Sequence, residues 1–142
     1  MYPSLQIGNT AELVIEVDDT MCPAFDGVIV HRVYSTWSLA HHMEIAARKV
    51  LIDHLEPHEE GIGSHLSIDH LAPTPVGGTV RIVATAIEVD ATTLICSLQA
   101  MHERGADEQT LIARGKQVQR ILPKETLAAL IARASSSASS SS

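Results

Sequence analysis

The sequence is poor in residues that mark several large protein classes. Only 3% of its 142 residues are aromatic, and only two are cysteines. Cys22 and Cys96 are far apart and lack C-x-x-C spacing, so neither a disulfide framework nor a zinc site is indicated. Apolar runs are far shorter than the roughly 20 residues that span a bilayer, and no secretory signal pattern is present. We expect free thiols, no membrane partner and a cytoplasmic location.

Positive charge is also scarce. Asp and Glu outnumber Lys and Arg by 17 to 10. An extended phosphate-tracking surface is therefore not expected, which argues against nucleic acid as a partner. Apolar residues make up 45% of the chain, so Val, Ile, Leu and Ala must build the core. The length suits one domain with a single core, which we place at residues 1–134.

The spacing of apolar residues changes to a helical period over the longest predicted helix, which runs from Ser35 or Thr36 to Leu55. A hydroxyl at its start can cap the first turn, and Glu56-Pro57 ends the run. One stripe of this helix is apolar and is formed by Leu39, Met43, Ala46, Ala47 and Val50.

Segments with strand character surround this helix. One precedes it at 11–17, and a short strand is expected within 28–33. Long strands follow at 62–71, 79–89, 92–102 and about 110–122, and their turn residues predict consecutive antiparallel pairing. A short amphipathic helix is expected after Pro123, and the serine-rich segment 135–142 is expected to be a disordered tail. This outline is α+β, and it allows several sheets with one long helix.

Glu44 on the long helix is a candidate acid–base residue. An apolar environment suits a general base or a group that orients water. The alternative is an exposed ion pair with Arg48, one turn further on. On a helical wheel, the neighbours of Glu44 are Ala40, Ala47, Leu51 and Leu55.

His70 and Thr36 are the other candidates. His70 ends a predicted strand on the core side, where it suits an acid–base group or a hydrogen-bonded structural histidine. Thr36 would lie at the positive end of the helix, where it could stabilise developing negative charge or simply cap the helix. By alternation, His70 shares its face with Ile62, Ser64, Leu66 and Ile68.

No metal site is expected, although eight histidines are present. His41 and His42 are adjacent on the helix and therefore point about 100° apart. His54 and His58 straddle Glu56-Pro57, which interrupts the helix. Neither pair has the one-face spacing typical of helical metal ligands.

Several motifs together resemble the fluoroacetyl-CoA thioesterase family of hotdog proteins. In that family the catalytic group is a threonine at the start of the central helix, a glutamate eight residues later and a histidine 26 residues beyond it. The resemblance implies these roles for Thr36, Glu44 and His70, and it implies that Gly63 lies beside the acyl group. The matching segments are 35–44, 55–57, 61–64 and His70-Leu71-Ala72-Pro73-Thr74-Pro75-Val76-Gly77.

The sequence also departs from the family. A Gly-x-His-x-Arg pattern on the last strand is replaced by Gly115-Lys116-Gln117-Val118-Gln119, with Arg120 one place later. Contacts that the family makes there do not transfer. The stretch before the long helix is not recognisably shared either, so selectivity for a fluorinated substrate does not follow.

The resemblance implies a hotdog fold, with an antiparallel sheet wrapped around a long central helix. It also implies hydrolysis of a short- or medium-chain acyl-CoA, with no cofactor apart from the CoA of the substrate, by a homodimer, with a tetramer left open. Two alternatives stay open: a non-catalytic acyl-CoA sensor, and a hotdog enoyl-CoA hydratase, whose usual Asp and His pair is not found. Candidate cations for the CoA phosphates are Arg81, Arg114, Lys116 and Arg120.

Overall fold

The computed structural model describes residues 1–140, with side chains described through residue 136. Its strands are β1 (Thr10–Glu16), β2 (Ala24–Phe25), β3 (Val28–Ile29), β4 (Glu59–His70), β5 (Thr79–Val89), β6 (Thr93–Glu103) and β7 (Gln109–Pro123). Its α-helices are α1 (Thr36–Leu51) and α2 (Lys124–Ser140), and short 3-10 helices cover Asp19–Met21 and Ile52–His54. No helix in the described part of the chain is long and apolar enough to cross a membrane.

One antiparallel sheet and one helix form the core. The strands lie in the order β1-β5-β6-β7-β4, and α1 packs against β1, β4, β5 and β6. A five-stranded antiparallel sheet packed around one long helix is the hotdog arrangement, so the predicted α+β hotdog fold is confirmed. The strands contribute fully buried aliphatic side chains to this core, including Val80, Ile82, Leu94, Leu98 and Ile112.

α1 forms where the sequence predicts it. All five residues of the predicted apolar stripe are buried. Ser35 caps the helix, since its Oγ accepts a 3.1 Å hydrogen bond from the backbone N–H of Ser38. The regular helix ends at Leu51, and one tighter turn continues to His54. The predicted helix therefore includes that 3-10 turn near its end.

The predicted pairing of β4 with β5 is wrong. β4 pairs with β7, and β5 lies between β1 and β6. The segment 71–78 is a crossover and not a hairpin turn. The Tyr34 N–H donates to the Thr74 carbonyl at 2.8 Å, and the Gly77 N–H donates to the Val17 carbonyl at 2.7 Å. These bonds hold the segment beside the amino-terminal end of α1, a long-range arrangement that turn residues alone do not reveal.

A bulge in β4 changes which of its residues share a face. Pairing with β7 shifts register between Gly63 and His65, so the alternation restarts there. Leu66 and Ile68 then pack against the core in phase with His70. Ile62 is 44% exposed and lines a groove against α2 on the other face. The expectation that Ile62 and Ser64 share a face with His70 is therefore wrong, whereas His70 does point toward α1.

Two smaller elements complete the fold. The short strand expected within 28–33 is β3, which forms a hairpin with β2. α2 begins directly after Pro123 and extends through Ser140, packing against β7 and β4. The domain boundary at residue 134 and the disordered tail at 135–142 stay predictions, and residues 141–142 lie outside the described part of the chain.

Candidate active site

The amino-terminal end of α1 positions Thr36. Ser35 already caps the first turn, so the capping role considered for Thr36 belongs to its neighbour. The exposed Thr36 side chain instead places Oγ1 2.9 Å from Nδ1 of His70. Thr36 therefore joins the start of the helix to the end of β4, at the positive end of the helix dipole.

The second member of this contact, His70, is half-buried. Burial lowers the pKa of its imidazole, and the nearby Ala72 backbone opposes that effect to a smaller extent. The ring of Tyr34 packs edge-on against it, with centroids 6.5 Å apart. Nε2 is buried and finds no hydrogen-bond partner in the described residues. The site thus favours a neutral imidazole, the form that can accept a proton.

A cleft of about 500 Å³ lies beside Thr36 and His70. Its rim is apolar, since Trp37 is 49% and Leu71 is 52% exposed. Phe25 of the β2–β3 hairpin extends this rim, with its ring 5.7 Å from that of Trp37 in an edge-on arrangement. The cleft suits a ligand that has an apolar group next to a polar reacting centre.

Glu44 lies midway along α1 and is half-buried. Its Oε2 accepts a 2.7 Å hydrogen bond from Nε2 of Gln117 on β7. Arg48 is directed elsewhere, with its guanidinium 3.1 Å from Glu60 Oε1 and 3.2 Å from the Gly61 carbonyl. The ion pair considered as the alternative for Glu44 is therefore replaced by a bond between the helix and the sheet.

Gly63 borders Glu44 because it has no side chain. A Cβ at this position would lie 3.1 Å from Glu44 Oε2 and 3.2 Å from Gln117 Nε2. The glycine therefore lets the β4 backbone approach the carboxylate closely. The three residues share a depression of about 200 Å³ that His41 and Ile45 also line.

The predicted residues form two groups in a single chain. Thr36 and His70 line the larger cleft, whereas Glu44 and Gly63 line the smaller depression. Thr36 and Glu44 are eight residues apart on α1, which corresponds to about 12 Å of helical rise. The structure thus brings the four residues together in pairs and not as one cluster.

Comparison with protein-family models assigns the chain to a family. Residues 17–125 match the family model described as fluoroacetyl-CoA-specific thioesterase. The chain belongs to this family. A solved structure from Thermus thermophilus, a hypothetical protein of the thioesterase superfamily, is 34% identical over 99% of each chain, with a TM-score of 0.90. As a member of this thioesterase family, the chain is an enzyme that hydrolyses acyl-CoA thioesters.

More distant solved structures share the fold of this thioesterase. A hot-dog-like protein from Thermanaerovibrio acidaminovorans is 19% identical, over 93% of this chain and 92% of its own, with a TM-score of 0.78. The fluoroacetyl-CoA thioesterase is 22% identical, over 90% of this chain and 96% of its own, with a TM-score of 0.73. Among the curated proteins, none matches this chain.

Gln117 lines the depression beside Glu44, and sequence reasoning missed it. It lies in the stretch that departs from the Gly-x-His-x-Arg pattern, at the position of the histidine. The sequence does contain one indication of it, since a polar residue stands here in phase with Gln119 and Ile121 on a strand with one buried face. Only the structure shows that its amide reaches Glu44.

The candidate cations for CoA differ in how they are engaged. Arg81 is paired with both Glu12 and Glu103 at 2.5 Å. Arg114, Lys116 and Arg120 are exposed on the outer face of β7, where Arg114 lies 3.8 Å from Asp69. Among the described residues, Lys116 and Arg120 make no ion pair within 4 Å, so they are the less engaged cations.

One cluster has the composition of a metal site. Glu56, His58 and Glu59 place ligand atoms within 4.8 Å of one another. The terminal ammonium of Met1, however, already pairs with Glu56 at 2.6 Å and with Glu59. A positive charge therefore already compensates the two carboxylates, and the cluster lies near the other end of α1 from Thr36.

Proposed function

We propose that the protein hydrolyses a short- or medium-chain acyl-CoA thioester to the free acid and CoA, with Thr36, Glu44 and His70 as catalytic residues and Gly63 beside the acyl group. The observation that carries the proposal is the 2.9 Å contact between Thr36 Oγ1 and His70 Nδ1. It joins two residues that are 34 positions apart, at the edge of an apolar cleft. Such a contact orients the imidazole at the cleft, which an acid–base role requires.

Each residue has a defined role in the proposed reaction. Glu44 either removes a proton from the attacking water or attacks the thioester carbonyl itself. His70, neutral because burial lowers its pKa, works with Thr36 in proton transfer. The Thr36 hydroxyl and the positive end of α1 stabilise the negative charge that develops on the carbonyl oxygen.

The cleft supports the proposed size of the acyl group. Its volume of about 500 Å³ lies within the usual range for small-molecule sites, and its rim is apolar. Solved structures of the fluoroacetyl-CoA thioesterase hold acetyl-CoA in one case, and fluoroacetate with CoA in another. Both findings favour a short acyl chain. Lys116 and Arg120 are the candidates for binding the CoA phosphates.

The two-part site favours a homodimer. β4 is at the edge of the sheet, so one side of this strand offers unpaired backbone groups. Gly63 and His70 are seven residues apart on β4, about 23 Å along a strand. If β4 pairs antiparallel with β4 of a second copy, the Gly63 end of one strand lies beside the His70 end of the other. Each complete site would then combine Glu44 of one chain with Thr36 and His70 of its partner.

Light scattering during gel filtration tests the dimer. We expect a mass near twice the 15.3 kDa of one chain, or four times that mass if two dimers associate. A monomer that is fully active would contradict the shared site.

Both cysteines are free and buried, which agrees with the reducing cytoplasm that we propose as the compartment.

Release of free thiol from a panel of acyl-CoA esters tests the reaction. We expect turnover with short and medium acyl chains, and loss of most of it in Glu44→Gln and in His70→Ala. Matched controls are Glu88→Gln, an exposed carboxylate on β5, and His58→Ala, an exposed histidine just before β4, which should keep native rates. Tight acyl-CoA binding without thiol release would favour the sensor instead.

A further inference from the structure

Two buried glutamines distinguish the face of β7 that packs against α1. Gln117 is 1% exposed and Gln119 is 2% exposed. Gln119 Nε2 donates to the Ala47 carbonyl at 3.0 Å, a bond that fastens the helix to the sheet. Gln117 Nε2 donates instead to Glu44 Oε2 at 2.7 Å. The two residues thus share their burial and chemistry and differ in what they bind.

The bond from Gln117 fixes one oxygen of Glu44. A short hydrogen bond to a carboxylate oxygen limits the rotation of that side chain. The β4 backbone at Gly63 also lies close to Glu44 Oε2 and Gln117 Nε2. There is room for both atoms only because glycine has no Cβ. Glu44 is therefore held in one orientation next to the depression that it lines.

The amide of Gln117 has a second polar atom, which makes no hydrogen bond in the described part of the chain. Its Oε1 is buried and has no hydrogen-bond partner in the described residues. Burying an amide oxygen without a partner is unfavourable, so such an atom in a fold calls for an explanation. Packing alone gives none, because an apolar side chain of the same size would fill the position without that cost.

We infer that Gln117 is a positioning residue for Glu44. It holds Oε2 of the carboxylate in place and leaves Oε1 of Glu44 to act on the substrate side. This role rests on the proposed function of Glu44 as a catalytic base or nucleophile. Gln119 fastens the same helix to the same sheet through the Ala47 carbonyl, and among the described residues its amide makes no hydrogen bond to Glu44.

Comparison of Gln117→Met with Gln119→Met tests the inference in the full-length protein. Both changes remove a buried amide at alternate positions of one strand. In Gln117→Met, we expect kcat to fall at least about tenfold, with a smaller change in KM, because Glu44 loses its fixed orientation. In Gln119→Met, kcat should stay close to the native value. If Gln117→Met does not fold, Gln117→Asn takes its place, because it withdraws the amide from Glu44 by one methylene. It should show the same fall in kcat.

Carbon-13 NMR separates this inference from the proposed function. The Glu44 carboxyl signal is assigned by its loss in Glu44→Gln and is recorded at one pH without substrate. Its chemical shift should move in the Gln117 variants, which weaken or lose the hydrogen bond, and stay in place in Gln119→Met; the same shift in all of them would overturn the inference, even in an active enzyme. Absence of thiol release from the native protein would overturn the proposed function instead, and the catalytic part of the inference with it.

Discussion

Replacement of Gly63 by alanine perturbs the site without altering the core. The new methyl group would lie 3.1 Å from Glu44 Oε2 and 3.2 Å from Gln117 Nε2. Such contacts require the two side chains to move by a few tenths of an ångström, which weakens their 2.7 Å hydrogen bond. Glycine is exposed at this position and costs entropy in a strand, so alanine should change the free energy of unfolding by no more than about 1 kcal/mol.

The expected loss in Gly63→Ala is therefore one of rate. A misplacement of about 1 Å at a reacting group can cost roughly a hundredfold. A smaller movement of Glu44 should lower kcat about tenfold. Thiol release at saturating acyl-CoA measures this change, and urea denaturation measures stability in parallel. A native kcat in this variant would refute the close approach of β4 to a working carboxylate.

Gly115→Ala is the matched contrast. A Cβ at Gly115 would lie 2.2 Å from the Ser67 carbonyl oxygen, which belongs to the backbone of β4 and cannot rotate away. The change must push β4 away from β7 and weaken their hydrogen bonds. We expect a loss of about 3 kcal/mol in the free energy of unfolding. Stability equal to the native protein would refute the observed pairing at this point.

Three further predictions concern stability. Ser35→Ala removes the cap of α1 and should lower the free energy of unfolding by about 1 kcal/mol in urea, and an unchanged urea midpoint would contradict that role. Met43→Ala empties a fully buried position and should cost about 2–5 kcal/mol; a smaller loss would mean that the core collapses around it. Burial lowers the pKa values of His42 and His70, so the unfolded chain binds more protons than the folded one as the pH falls. Stability should thus be complete above the ordinary histidine pKa of about 6.5 and decline below it, which urea midpoints at several pH values will show; a flat profile there would contradict the lowered values.

Much of the fold follows from local pattern. The helical period of the α1 stripe and the polar turn residues define most elements within a few residues. The pairing of β4 does not follow, because crossover and hairpin connections use the same Pro and Gly residues. The bulge between Gly63 and His65 does not follow from strict alternation either, so alternation places Ile62 on the wrong face.

The candidate site shows the same division. Spacing within a family motif singles out Thr36, Glu44 and His70, but spacing cannot show which of them meet. The contact between Thr36 and His70 arises because the segment after β4 passes the start of α1. The contact of Gln117 with Glu44 joins residues 73 positions apart. Such a pair depends on the order of strands in the sheet, which the sequence did not predict.

Complementation between two inactive variants tests the shared catalytic site most directly. Glu44→Gln and His70→Ala are each purified, mixed in equal amounts, unfolded and refolded together, and assayed for thiol release. Random pairing makes about half of the dimers mixed, and each mixed dimer has one intact site out of two. The mixture should therefore recover about a quarter of the native activity, while each variant treated alone stays inactive. A mixture as inactive as its components would contradict a site that combines Glu44 of one chain with His70 of the other.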